Sequence, residues 1–230
     1  YELDIAVIKL PHISNFTDFT ALEIDKRVNL HYTLDPVLLK KADLLIIPGS
    51  KNTMADLSFL KEKGIADLIK KRAAAKDNIM GICGGYQMLG RSLEDPQTIE
   101  GKNREISGLN LLPFKTTFTT DKSTRAVEAE IRGDAGILAG LKGELVEGYE
   151  IHLGYSRLNS KTKNGEEIFT IQNKSDRAQN RKDGFISSEN NVWGTYLHGL
   201  FDNDNFRNKI ISNLQEKITL SDKEKPNNTF

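Results

Sequence analysis

The sequence predicts an α/β protein: an open, mostly parallel sheet with helices on both faces and an antiparallel β extension in its second half. Three observations carry this reading. Short apolar runs alternate with segments of helical spacing as far as Leu93. One of those runs turns abruptly into a helix at a cysteine flanked by glycines. Beyond Ile106 the pattern becomes strand after strand, punctuated by turn dipeptides. Alternating strands and helices imply parallel pairing with covered faces, whereas successive strands with tight turns imply antiparallel pairing.

The elements follow in order. Leu3 to Leu10 is mostly apolar, as expected of a buried strand. Asn15 to Phe19 is a polar turn leading to a short helix ending near Lys26, and Val28 to Leu34 is a second strand. Pro36 to Lys41 makes a helical turn. Ala42 to Pro48 is a third buried strand, closed by Pro48-Gly49-Ser50. Thr53 to Lys61 and Ile65 to Lys76 carry helical spacing around a break at Gly64. Asn78 to Cys83 is the fourth strand and Gly85 to Leu93 its helix. The second half reads as strands at Ile106–Phe118, Ala126–Ile131, Glu147–Leu153, Glu166–Ile171 and Phe185–Glu189, with turns at Asn164-Gly165 and Asp183-Gly184. Val192 to His198 is a buried strand. Asn205 to Lys217 is a closing helix with Asp204 as its cap, and 221–230 is a polar, frayed tail after a domain spanning 1–220.

Composition narrows the function classes. The 230 residues suffice for a real core and for one large domain, or one domain with an appended subdomain. Basic and acidic residues balance at 32 each, so no basic field exists to hold nucleic acid. No apolar stretch reaches the roughly 18 residues a membrane-spanning helix needs. A single cysteine excludes an internal disulfide and a cysteine-cluster zinc site, no metal site is expected, and a reducing cytoplasm suits it. The start, Tyr1-Glu2-Leu3-Asp4-Ile5, has no initiator methionine or leader pattern, so the chain reads as a piece of a longer or processed protein.

That cysteine, Cys83, lies in Gly81-Ile82-Cys83-Gly84-Gly85-Tyr86-Gln87. A nucleophile at a sharp strand-to-helix turn adopts a strained backbone and tolerates only small neighbours. It also sits at the positive end of the helix dipole, which favours a thiolate. A buried structural cysteine is the plain alternative, but it gives no reason for glycines on both sides. A thiol nucleophile needs a base. Of the four histidines, His31 lies in a strand pattern and suits a surface or edge, and His12 could line a site from the first loop. His198 ends an apolar strand before Gly199, so it emerges at the carboxyl edge of the sheet, where Cys83 emerges too. An oxyanion hole has two candidate sources: the N–H of Gly84, and the Gly49-Ser50 turn ending the neighbouring strand.

The elbow and the later Tyr196-Leu197-His198-Gly199 resemble a class I (triad-type) glutamine amidotransferase domain, which implies a flavodoxin-like fold. Further segments are similar to the C-terminal glutaminase half of cobyric acid synthases. They are Asp4 to Phe19, Ile47 to Thr53, Gly148-Tyr149-Glu150-Ile151-His152-Leu153-Gly154 and Gly194 to Asp202, in family order. The resemblance implies that Cys83 attacks the glutamine side-chain amide to form a thioester, with His198 as acid and base. Gly49, Ser50 and Gly84 match the oxyanion hole. Gln87, Arg125, Tyr149, Glu150 and His152 match residues that border or bind glutamine, with Arg125 placed at the α-carboxylate. It also implies an N-terminal ATP-binding synthetase half, using ATP and Mg, that amidates corrin carboxylates. That half has no phosphate-binding Gly-x-x-x-x-Gly-Lys-Ser/Thr loop in this chain, which itself is expected to carry no cofactor.

One position departs from the general triad pattern. Leu200 occupies the place of the glutamate that usually orients the histidine, and it cannot accept a hydrogen bond. The site therefore reads as a Cys–His dyad, with Asp202, Glu150 or a backbone carbonyl as substitute orienter. Two other readings stand beside this one: the related amidotransferase that modifies lipid-linked peptidoglycan precursors, and a non-catalytic docking module on the same scaffold.

Overall fold

The computed structural model describes residues 2–158, 165–172 and 180–224 (for 121–123 and 221–224 the backbone alone). The predicted buried runs form β1 (Leu3–Ile8), β3 (Leu44–Ile47) and β4 (Asn78–Ile82), joined by the more exposed β2 (Val28–Thr33). Between them lie α1 (Thr20–Glu23), α2 (Pro36–Lys41), α3 (Thr53–Glu62) and α4 (Ile65–Ala74), and α5 (Gly84–Leu89) follows β4. The rest of the chain adds β5 (Ser92–Glu94), β6 (Glu105–Ser107), β7 (Phe114–Ile131), β8 (Leu145–Leu158), β9 (Gly165–Gln172), β10 (Arg181–Ser187), β11 (Val192–Thr195) and α6 (Asp204–Glu224).

All described strands join one sheet, in the order β2-β1-β3-β4-β11-β10-β9-β7-β5-β6, with β8 on β7. β2, β1, β3, β4 and β11 pair in parallel; β11, β10, β9, β7 and β8 continue antiparallel. The central parallel strands β1, β3 and β4 are covered on both faces, which is why they are almost wholly apolar. Alternation sends Ile5, Val7, Leu44, Ile46, Met80 and Ile82 into one core with Phe19 and Phe206. Ala6, Ile8, Leu45, Ile47 and Ile79 enter the other, with Leu57, Leu60 and Ile69.

Several boundaries differ from the sequence reading. The helix after Cys83 ends at Leu89 rather than Leu93, because Gly90 adopts an extended backbone and Ser92–Glu94 pairs as a strand. The run Ile106–Phe118 is broken: Gly108 to Leu112 turn back onto the end of α5, with the Leu109 and Leu112 amides donating to the Met88 and Leu89 carbonyls. Across 119–125 the polar sequence does not interrupt the strand, because β7 stays paired with β8 past an irregularity between Thr117 and Lys122. Asp204 is the first helical residue of α6 and not its cap; the Asn203 carbonyl takes the Arg207 amide at 2.9 Å and so holds the cap position. α6 also runs to Glu224, into the stretch read as frayed. Asn164 of the turn at Asn164-Gly165, and residues 225–230 of the tail, lie outside the described residues.

Candidate active site

β4 and β11 are parallel neighbours, Gly81 opposite Gly194 and Ile82 opposite Thr195. The Cys83 amide donates to the Thr195 carbonyl at 2.8 Å, so the chains leave the sheet side by side at its carboxyl edge. This brings Cys83 and His198 to one place, as their strand-end positions predicted. Cys83 has φ 52° and ψ −109°, a left-handed-side conformation costing a non-glycine residue about 1–3 kcal/mol. The glycines around it are sterically required. A Cβ on Gly85 would stand 1.9 Å from the Ile47 carbonyl oxygen, and one on Gly81 2.8 Å from the Gly85 backbone. They let α5 dock directly against β3.

His198 is fully buried. Its Nδ1 donates to Asp18 Oδ2 at 2.7 Å, while Asp18 Oδ1 accepts the Gly199 amide at 3.0 Å. The Cys83 side chain is close enough to the same ring to raise its pKa. Burial opposes a charged ring, but the hydrogen bonds to Asp18 and Cys83 and their charge interactions outweigh it, pushing the His198 pKa up to about 10. The Tyr149 ring stacks on the imidazole with centroids 5.0 Å apart. The Asn15 amide nitrogen lies 3.2 Å from Nδ1 and 3.1 Å from Nε2.

The orienting acid is therefore Asp18, and neither Asp202 nor Glu150. Asp202 lies beside Gly199, where burial and then the Asp18 charge raise its carboxyl. Glu150 is buried against Arg181, with Arg125 Nε at 3.8 Å. The arrangement is Cys–His–Asp rather than the expected dyad. Asp18 lies outside the motifs around His198 that suggest Asp202 and Glu150. It sits in the loop after β1, at the same carboxyl edge, so the rule that located Cys83 and His198 also points to it.

The oxyanion candidates converge. A Cβ on Gly84 would stand 3.0 Å from the Ser50 amide nitrogen, so that N–H lies beside the first turn of α5, whose own N–H groups lack intrahelical acceptors. Ser50 Oγ is committed to Asp56 at 2.6 Å, which also holds His12 Nδ1 at 2.8 Å. His12 thus braces the turn rather than lining the cleft. Gly49 accepts the Ser14 amide, and a Cβ on it would reach within 3.4 Å of the His198 ring.

A cleft of about 330 Å³ opens onto Cys83. Gln87, Ile151 and His152 line it, with Thr53, Lys51 and Glu100, none of which the sequence singled out. Gln87 Nε2 donates to the Leu153 carbonyl at 3.0 Å, and the Cys83 sulfur lies 3.5 Å from the Ile151 carbonyl. Of the remaining expected residues, Tyr149 covers His198, while Arg125 reaches Glu150 from a largely exposed position on β7 and does not line the cleft. Glu100 is the one carboxylate on the cleft wall among the described residues. Its Oε2 accepts the Met54 amide at 2.9 Å, and burial nonetheless pushes the carboxyl up to about 7. Glu100 carries no local sequence signal, since it lies in the loop between the short strands β5 and β6. No group of three or more His, Cys, Asp or Glu among the described residues could hold a metal ion, and no helix is long and apolar enough to cross a membrane.

Comparisons with known proteins identify the relatives of the chain. The chain is 46% identical over 216 residues to a cobyric acid synthase of Moorella thermoacetica, covering 94% of the chain and 41% of that protein. It is 44% identical over 221 residues to a cobyric acid synthase of Clostridium botulinum, covering 96% and 43%. The chain thus spans less than half the length of these curated relatives. Among solved structures, PurLQS from Thermotoga maritima superposes with a TM-score of 0.67 at 19% identity, covering 95% of this chain and 100% of that one. A glutamine amidotransferase from the same organism gives 0.59 at 13%, covering 96% and 86%. These two show the flavodoxin-like fold alone. The CobB/CobQ-like glutamine amidotransferase domain model matches residues 4–206, and the chain belongs to that family.

Proposed function

We propose that this chain is the glutaminase part of a cobyric acid synthase: it hydrolyses glutamine through a Cys83 thioester and supplies ammonia to an ATP- and Mg-dependent synthetase half, joined in the same polypeptide, that amidates corrin side-chain carboxylates in the cytoplasm. One observation carries the chemistry: a strained cysteine beside a fully buried histidine that is held in turn by Asp18. The corrin substrate rests on the cobyric acid synthase relatives.

Each step has a residue. The proton taken from the thiol already rests on His198, and the sulfur attacks the amide carbon of glutamine as a thiolate paired with that imidazolium. The oxyanion that forms faces the Gly84 and Ser50 amides. His198, whose raised pKa keeps it protonated at neutral pH, returns a proton to the departing ammonia. It then takes a proton from the water that cleaves the thioester to glutamate. Asp18 is a positioning residue, fixing the tautomer and stabilising the imidazolium. Glu100 offers the cleft's carboxylate to the substrate's α-ammonium.

The test uses a diazo-ketone analogue of glutamine. Mass spectrometry should find one adduct, on Cys83, and glutamine should protect against it. Cys83→Ala and His198→Ala should abolish glutamine hydrolysis. Labelling elsewhere, or unchanged hydrolysis in either variant, would refute the reading.

A further inference from the structure

β8 passes the thiol at Ile151, whose carbonyl lies 3.5 Å from Cys83 Sγ. The residues on either side of Ile151 place two polar atoms in the interior that the reaction above does not use. Glu150 is wholly buried, and its Oε2 faces Arg181. Its other oxygen, Oε1, is buried and has no hydrogen-bond partner among the described residues. The His152 ring stacks on Tyr196, centroids 4.0 Å apart, and its Nδ1 lies 3.0 Å from the Gly154 carbonyl. A carbonyl only accepts, so the proton sits on Nδ1. Burial holds the ring's pKa below its ordinary value against the raising pull of Glu150, so Nε2 carries a lone pair. Nε2 is also buried and without a partner among the described residues.

These two orphan acceptors lie 4.0 Å apart. That is too far for a hydrogen bond. An unsatisfied buried polar group costs about 1–3 kcal/mol, so two such atoms this close together are expected to share a ligand. The ligand must be small and must present two N–H or O–H donors. We propose that Glu150 Oε1 and His152 Nε2 form a subsite for the ammonia released at Cys83, which donates one N–H to each. Binding is non-covalent and moves no proton. A water molecule meets the same geometry, and the test separates the two. The proposal rests on the glutaminase reading.

In the acyl-enzyme, ammonia competes with water for the thioester. Attack by ammonia expels the Cys83 thiolate and regenerates glutamine, so ¹⁵N from added ammonium chloride enters the amide of unreacted glutamine. The quantity to measure is the ratio of that incorporation to glutamate formation, which does not depend on how much of a variant is folded. For this chain the ratio should rise with ammonium and saturate. In Glu150→Gln, which replaces the orphan acceptor by an amide able to donate to His152, it should fall about tenfold, and in His152→Phe, which keeps the stacking ring, by a similar factor. A strictly linear ratio, or variants with the same ratio as the parent, would mean that the gap holds only water and would overturn the proposal. A second measurement needs no turnover: in Cys83→Ser protein, ammonium chloride should shift the His152 Nε2 resonance where sodium chloride at equal ionic strength does not, and no difference would also overturn it. Absence of glutamine hydrolysis by the parent chain would instead refute the glutaminase reading.

Discussion

The parallel and antiparallel halves of this one sheet divide the work. The parallel half, β1 to β4 with β11, delivers Asp18, Cys83 and His198 from three strand ends to a single edge. The antiparallel half delivers β8, which closes over that edge with Tyr149, Ile151 and His152. In the first, chemistry sits at the ends of buried strands; in the second, it is read off the side of a long ribbon. Parallel strands covered on both faces are rigid and place reacting groups well, whereas a partly exposed ribbon shapes what binds beside them.

If that division holds, the largest effect should come from the parallel half. Asp18→Asn keeps the shape but lets the wrong His198 tautomer form, and kcat should fall about 10²–10⁴-fold. Asp202→Asn should change it little, and comparable losses in both would break the comparison. Next is Gly85→Ala, which drives a methyl into the Ile47 carbonyl. It should cost about 2–4 kcal/mol in denaturant unfolding, because backbone on both sides cannot yield.

Glu100→Gln tests the cleft wall. KM for glutamine should rise about tenfold, with little change for 4-carbamoylbutanoate, which lacks the α-amino group. The pH profile sharpens this. Pairing with an ammonium needs ionised Glu100, so kcat/KM should climb as pH rises through about 7 and fall as His198 loses its proton near 10. Glu100→Gln should erase the lower limb alone. His198 also links pH to stability. Its folded pKa is raised above 6.5, so its contribution is complete below pH 6.5 and is lost as pH rises through about 10. The smallest effect belongs to the ribbon's surface: breaking the exposed Lys182–Glu167 pair by Lys182→Ala should change stability by less than about 1 kcal/mol.

The sequence alone determined the parallel core, the elbow, and the meeting of Cys83 with His198. Buried strands must be continuously apolar, and a strained turn must be lined by glycines, so both leave marks in neighbouring residues. Only the tertiary structure decided that Asp18 orients His198, that Arg125 reaches Glu150, that Glu100 enters the cleft, and that β7 continues through a polar stretch. Those outcomes depend on pairing between segments far apart in the chain, where a single acidic or basic residue looks the same whether it meets solvent or a buried imidazole.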